Sequence, residues 1–150
     1  MFCIRVLSAP LALATGAPTA VGELVVGAAR TIFPLDLSHW RAEDYERQWR
    51  AGLRRLLSGA PTSALMSAYR GPHGDAHLMW ALWRENTSVY VQSHCVAACD
   101  LSAPFDVSAA YEHVDVRVPA REQALPITEW RVDVEHLFAS ALQIRWPFAS

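Results

Sequence analysis

The stretch from Arg41 to Leu57 constrains this chain most, because its apolar residues share one side only if it is helical. Tyr45, Trp49, Leu53, Leu56 and Leu57 fall at i, i+4, i+8, i+11 and i+12, a single stripe at the helical period. Glu43 and Asp44 lie in the first turn and Arg54 and Arg55 in the last, each sign at its favourable end of the helix dipole. Gly59 is a natural stop, and Pro61 follows it. Arg41 stands at the helix start, where a small oxygen-bearing side chain would cap better.

A striped helix needs a surface to pack on, and the flanking residues read as strands. Leu78 to Arg84 puts Leu78, Trp80 and Leu82 on one face and Met79, Ala81 and Trp83 on the other. Thr87 to Val96 follows after Glu85 and Asn86 alone, which predicts a tight antiparallel hairpin. Ser63 to Tyr69 is apolar on both faces and predicts a central strand. Gly22 to Phe33 reads as one strand with Gly27 as a bulge, followed by a turn at Pro34 and Asp36 to Ser38. Past Cys99, Val114, Val116 and Val118 alternate with His113, Asp115 and Arg117, as an edge strand or an extended loop ending at Pro119. Ile127 to Val132 reads as a further strand, and Asp133 as the N-cap of a helix carrying Val134, Leu137, Phe138 and Leu142.

This order predicts an α+β fold: a single domain over residues 1–150, with a mainly antiparallel β-sheet packed with a long helix (about 41–57) and a C-terminal helix (about 133–143). Residues 1–20 are expected to be an atypical N-terminal extension or the first strand. Their apolar run through Leu13, with small residues at Ala14 and Ala17, loosely imitates a secretory signal, but Pro10 interrupts it and Arg5 is its one charge. No run approaches 18 uninterrupted apolar residues, so no membrane association is expected.

A hydrophobic fraction of 52% against 19% charged is that of a globular chain. All 13 basic residues are arginine, and the charge is uneven. Residues 1–99 carry nine Arg and seven acids; residues 100–150 carry four Arg and eight acids. The acidic C-terminal third would suit a basic partner. Cys3, Cys95 and Cys99 make an odd count without framework spacing, which favours a reducing compartment.

Phosphate cradles, dinucleotide turns, nucleophile elbows and the metalloprotease His-Glu pair are missing, so no catalytic residue and no cofactor is assigned. The sharpest chemical grouping is His73, Asp75, His77, His94, Cys95 and Cys99. His73 and His77 precede one hairpin strand and the others end its neighbour, so an antiparallel ribbon brings both sets to one end. Imidazole and thiolate suit zinc, and an imidazole near Cys95 would activate its thiol. Against this, cysteine is more often simply buried, His77 and His94 read equally well as polar strand ends, and no metal is assigned. Arg47, Arg50 and Arg54 share a helix face that would suit phosphate, but Glu43 and Glu46 precede Arg47 and Arg50 by four residues as intrahelical ion pairs, so direct nucleic-acid binding is not expected.

Gly22 to Gly27, Leu37 to Trp49 with its Trp40, Tyr45 and Trp49, and Ala51 to Leu57 together resemble the immunity proteins of bacterial contact-dependent growth inhibition systems. The likeness continues through Ser63 to Ser67, Trp80 to Glu85, Val89 to Gln92 and Ile127 to Val132, covering most of residues 22–132. The first twenty residues and Val96 to Ala124 depart from it.

The resemblance implies a cytoplasmic, non-enzymatic protein that binds and neutralises the C-terminal toxin domain of a delivered effector, by steric occlusion. Many such toxins are nucleases and therefore basic, which the acidic C-terminal third would complement. The residues expected to meet the toxin are Glu85, Asn86, Asp100, Asp106, Glu112, Asp115 and Glu122. The alternative is a small metal- or thiol-dependent enzyme using His73, His77, His94, Cys95 and Cys99. A third reading is a module whose aromatic face binds a chaperone or secretion component.

Overall fold

Apolar side chains alternating along the N-terminal residues build a first sheet of four antiparallel strands, β1 (Phe2–Val6), β2 (Leu11–Ala12), β3 (Pro18–Val26) and β4 (Ala29–Asp36). The computed structural model describes residues 1–7, 11–12, 18–123 and 127–143, with side chains undescribed at 11–12 and 141–143. β3 pairs with β1, β2 and β4. Phe2, Ile4, Leu24, Val26, Phe33 and Leu35 are buried and floor the core. Phe2–Val6 therefore takes the first-strand option for the N-terminal residues; Pro10, Leu13, Ala14 and Ala17 of the signal-like run lie outside the described residues.

The single strand expected over Gly22 to Phe33 is instead a hairpin. Gly27 has φ 62, in the left-handed region that glycine enters without a Cβ clash, and the chain reverses there so that Val26 pairs with Ala29. Pro34 belongs to β4 and not to the turn, tolerated because β4 hydrogen-bonds to β3 alone among the described strands. The turn after it does form: Asp36 Oδ1 accepts the Ser38 N–H at 2.9 Å.

The second sheet has the order β5 (Thr62–Ala68), β6 (Ala76–Glu85), β7 (Ser88–Ala97), β8 (Glu129–Asp133), all antiparallel. The expected hairpin is β6 and β7, with Glu85 paired to Ser88 and Asn86 at φ 57, where asparagine is tolerated. β5 is not central, as its two apolar faces imply, but an edge strand.

The reason β5 is nonetheless buried is α1 (Ala42–Leu57), whose side chains satisfy its open edge. Gln48 Nε2 donates to the Ala64 carbonyl and Gln48 Oε1 accepts the Met66 N–H, both at 2.8 Å. Trp49 Nε1 donates to the Met66 carbonyl at 2.7 Å. So close an approach requires Gly52, where a Cβ would fall 2.6 Å from Leu65 Cδ2 and 2.8 Å from the Ala64 carbonyl oxygen. Tyr45, Trp49, Leu53 and Leu56 are fully buried, as the stripe predicts. Arg41 is the N-cap, and its backbone N–H donates to Asp44 Oδ2 at 3.0 Å, so a carboxylate from within the helix supplies half of the missing cap.

The core lies between the sheets and under α1. Phe33 of the first sheet meets Trp49 and Trp80 edge-on, with ring centroids 6.3 and 5.5 Å away. Truncating a buried aromatic of this kind costs about 3–5 kcal/mol. α2 (Val134–Gln143) closes the far side with Leu137 buried and Phe138 exposed, and the Ser140 hydroxyl donates to the Phe2 carbonyl. The α+β class, the antiparallel strands and both helices stand as expected, with the strands divided between two sheets.

Candidate interaction surface

One face of the second sheet packs on α1 and the first sheet; the other carries His77, Met79, Ala81 and Trp83 beside Tyr90, Gln92, His94 and Val96. Residues 98–123 cross this second face. They form three short 3-10 turns, Ala98–Asp100, Val107–His113 and Ala120–Glu122, with a strap over residues 114–118 that bends at residue 116. The strap, not an edge strand, is the outcome for the alternating valines.

The crossing segment is held at both ends. Phe105 stacks on the His77 ring at 4.1 Å, and His77 stacks on Tyr69 at 5.5 Å. Trp83 Nε1 donates to the Asp115 carbonyl at 2.7 Å, and Gln92 Nε2 to the Val118 carbonyl at 3.1 Å. Arg117 folds back onto the sheet, lying 3.7 Å over the Tyr90 ring and donating to Glu85 and Glu129 at 3.0 Å. Its bonds to Glu85, with Glu129 beside them, raise the guanidinium pKa further, so the charge is permanent.

Asp100, Asp106, Glu112, Asp115 and Glu122 all lie on this segment and all are exposed. Glu85 and Asn86 are exposed at the tip of the β6–β7 hairpin, and the Glu85–Arg117 pair joins that tip to the strap. Asp106 accepts the Ser108 hydroxyl at 2.6 Å and the Ser108 N–H at 3.0 Å, and these bonds lower the pKa of its carboxyl. No ion pair engages Asp100, Glu112, Asp115 or Glu122 among the described residues. Sequence reading missed two residues here. Arg117 is the clamp, and Val116, read with its neighbours as an edge strand or an extended loop, is 90% exposed.

The metal- or thiol-enzyme grouping does not assemble. His77 is fully buried in the aromatic stack, its Nδ1 accepting the Arg70 N–H at 3.2 Å, and burial with nearby Arg70, His113 and His39 pushes its pKa down. His94 lies edge-on to Trp83 at 5.3 Å, its pKa lowered by burial although Asp115 opposes. Cys95 pairs with Leu78 and so projects from the opposite face to His77 and His94; His73 and Cys99 are exposed. No three of these five residues bring ligand atoms together; among the described residues such a grouping occurs at the exposed Asp133, Glu135 and His136.

The model of the CdiI N-terminal domain family matches residues 35–139. This chain belongs to the CdiI family. The likeness read from its tryptophans and hairpin is thereby borne out, and by its family the chain stands among immunity proteins, not enzymes. It is also similar to a chain of the CdiA-CT/CdiI toxin and immunity complex from Enterobacter cloacae, with a TM-score of 0.84 at 23% identity. The match covers 96% of this chain and 98% of that one, and at that identity it speaks for the fold. No curated protein matches the chain.

Proposed function

We propose that this protein is the immunity partner of an effector's C-terminal toxin domain and neutralises it by covering the toxin's active site or substrate groove. The observation that carries this reading is the CdiI family match over residues 35–139. The related solved complex joins a toxin and an immunity protein, so pairing with a toxin domain is the corresponding role here. The toxin is basic, and a nuclease fits best, because it must hold phosphate and because the crossing segment offers it exposed acids. Glu85, Asn86, Asp100, Asp106, Glu112, Asp115 and Glu122 form the proposed rim.

The protein acts as one domain, in the cytoplasm, without a cofactor and without touching nucleic acid or membrane itself. The unpaired thiols of Cys3, Cys95 and Cys99 support a reducing compartment.

The test is a titration of the neighbouring effector's C-terminal domain with this protein. Toxin activity should fall linearly and vanish at equimolar protein. A saturated complex that still turns over substrate would contradict occlusion.

A further inference from the structure

Val116 is the most exposed large apolar side chain among the described residues, at 90%, and it stands on a segment tied to the sheet on both sides. The position before it is tied through the Asp115 carbonyl to Trp83 Nε1 at 2.7 Å. The position after it is tied through Arg117, over Tyr90 and in contact with both Glu85 and Glu129. The next carbonyl, of Val118, accepts from Gln92 Nε2 at 3.1 Å and Gln123 Nε2 at 2.8 Å. The chain bends at residue 116, and Val118 beside it is 48% exposed.

An apolar side chain kept in water is unfavourable, and a loose loop would relieve that by turning it inward. Here three successive ties prevent it. Such a fixed projection can meet a partner with little further loss of conformational freedom, which is where association free energy is usually spent.

We propose that Val116, with Val118 beside it, is the knob by which this chain docks, entering a shallow apolar pocket with a basic rim on the toxin domain. The basic rim follows from what surrounds the knob. Asp115 adjoins it and Glu112 and Glu122 flank the strap in sequence, all exposed, while Glu85 and Glu129 together outweigh the single charge of Arg117 beside it. Apolar centre and charged rim is the usual anatomy of a specific interface. This proposal rests on the immunity reading and adds to it the point of contact.

The experiment measures binding of the neighbouring effector's C-terminal domain to wild type, Val116→Arg, Val116→Ala and Ile32→Arg. Ile32 is 49% exposed on the first sheet and serves as a control for adding a surface arginine. Val116→Arg should weaken binding about a hundredfold or more and Val116→Ala less, with Ile32→Arg unchanged; melting should be alike in all four, since Val116 packs on little. Equal affinity of wild type and Val116→Arg would overturn the knob while leaving the immunity reading intact. If the face instead pairs two copies of this chain, wild type would dimerise, Val116→Arg would be monomeric, and toxin affinity would not change, which also overturns it. No binding by wild type would overturn both.

Discussion

The Gln48 side chain pairs with Met66 as a neighbouring strand would, accepting its N–H at 2.8 Å while donating to the Ala64 carbonyl. An edge strand is thereby closed by a helix, and the two sheets can face each other without exposing β5. Gln48→Leu keeps the volume but leaves a donor and an acceptor unsatisfied. It should cost about 2–6 kcal/mol, at about 1–3 kcal/mol per group, read as a lower urea midpoint.

Tyr45 makes the complementary tie between the sheets. Its hydroxyl donates to the Asp36 carbonyl at 2.6 Å and accepts the Tyr69 N–H at 2.9 Å. Burial pushes the hydroxyl pKa up to about 12, so it stays protonated through the neutral range. Tyr45→Phe should destabilise the fold by about 1–3 kcal/mol, chiefly by orphaning the Tyr69 N–H. Chemical denaturation at pH 7 checks this.

The buried Glu23 predicts part of the acid response. The Arg30 guanidinium bonds to it and lowers its pKa; burial opposes this, and Arg5 adds to the lowering at 2.8 Å. A pKa lower in the folded than the unfolded state gives stability that is complete above the ordinary carboxylate value, about 4.3. That stability is lost as pH falls through the folded value. Glu23→Gln should therefore be less stable than wild type at pH 7, and its loss of stability below about pH 4.5 should be shallower. Urea midpoints across pH 3 to 7, for both proteins, measure the difference.

The acids of the crossing segment should act on encounter more than on retention. Changing Asp100, Asp106, Glu112, Asp115 and Glu122 to their amides should slow association with the toxin domain by about tenfold or more at low salt and flatten its salt dependence. Stopped-flow mixing at several ionic strengths reads both. An unchanged on-rate would remove the electrostatic part of the proposal.

What was legible in the sequence was what depends on local periodicity. The stripe from Tyr45 to Leu56 marks α1 because a helix alone brings those residues together, and the brief gap after Glu85 leaves room for nothing but a hairpin turn. What was not legible depends on distant partners. β5 is apolar on both faces, which resembles a central strand, but the neighbour at its edge is a glutamine from α1. The alternation of Val114, Val116 and Val118 leaves an edge strand and a loop both open; no described strand pairs with them, and Trp83, Gln92 and Arg117 fix the strap by contacts remote in the chain. The His and Cys residues lie near one end of the ribbon, as reasoned; the pleat puts Cys95 on the other face. The exposed acids could be named from charge alone, whereas the clamp that joins Glu85 to the strap could not.

Co-expression tests the central claim most directly. The C-terminal domain of the adjoining effector gene would be induced in bacteria with or without this protein, and growth and complex formation followed. The account predicts that the domain alone arrests growth, that this protein restores it, and that the two co-purify in equal amounts. Growth arrest that this protein, folded and expressed, fails to relieve, with no complex recovered, would contradict it.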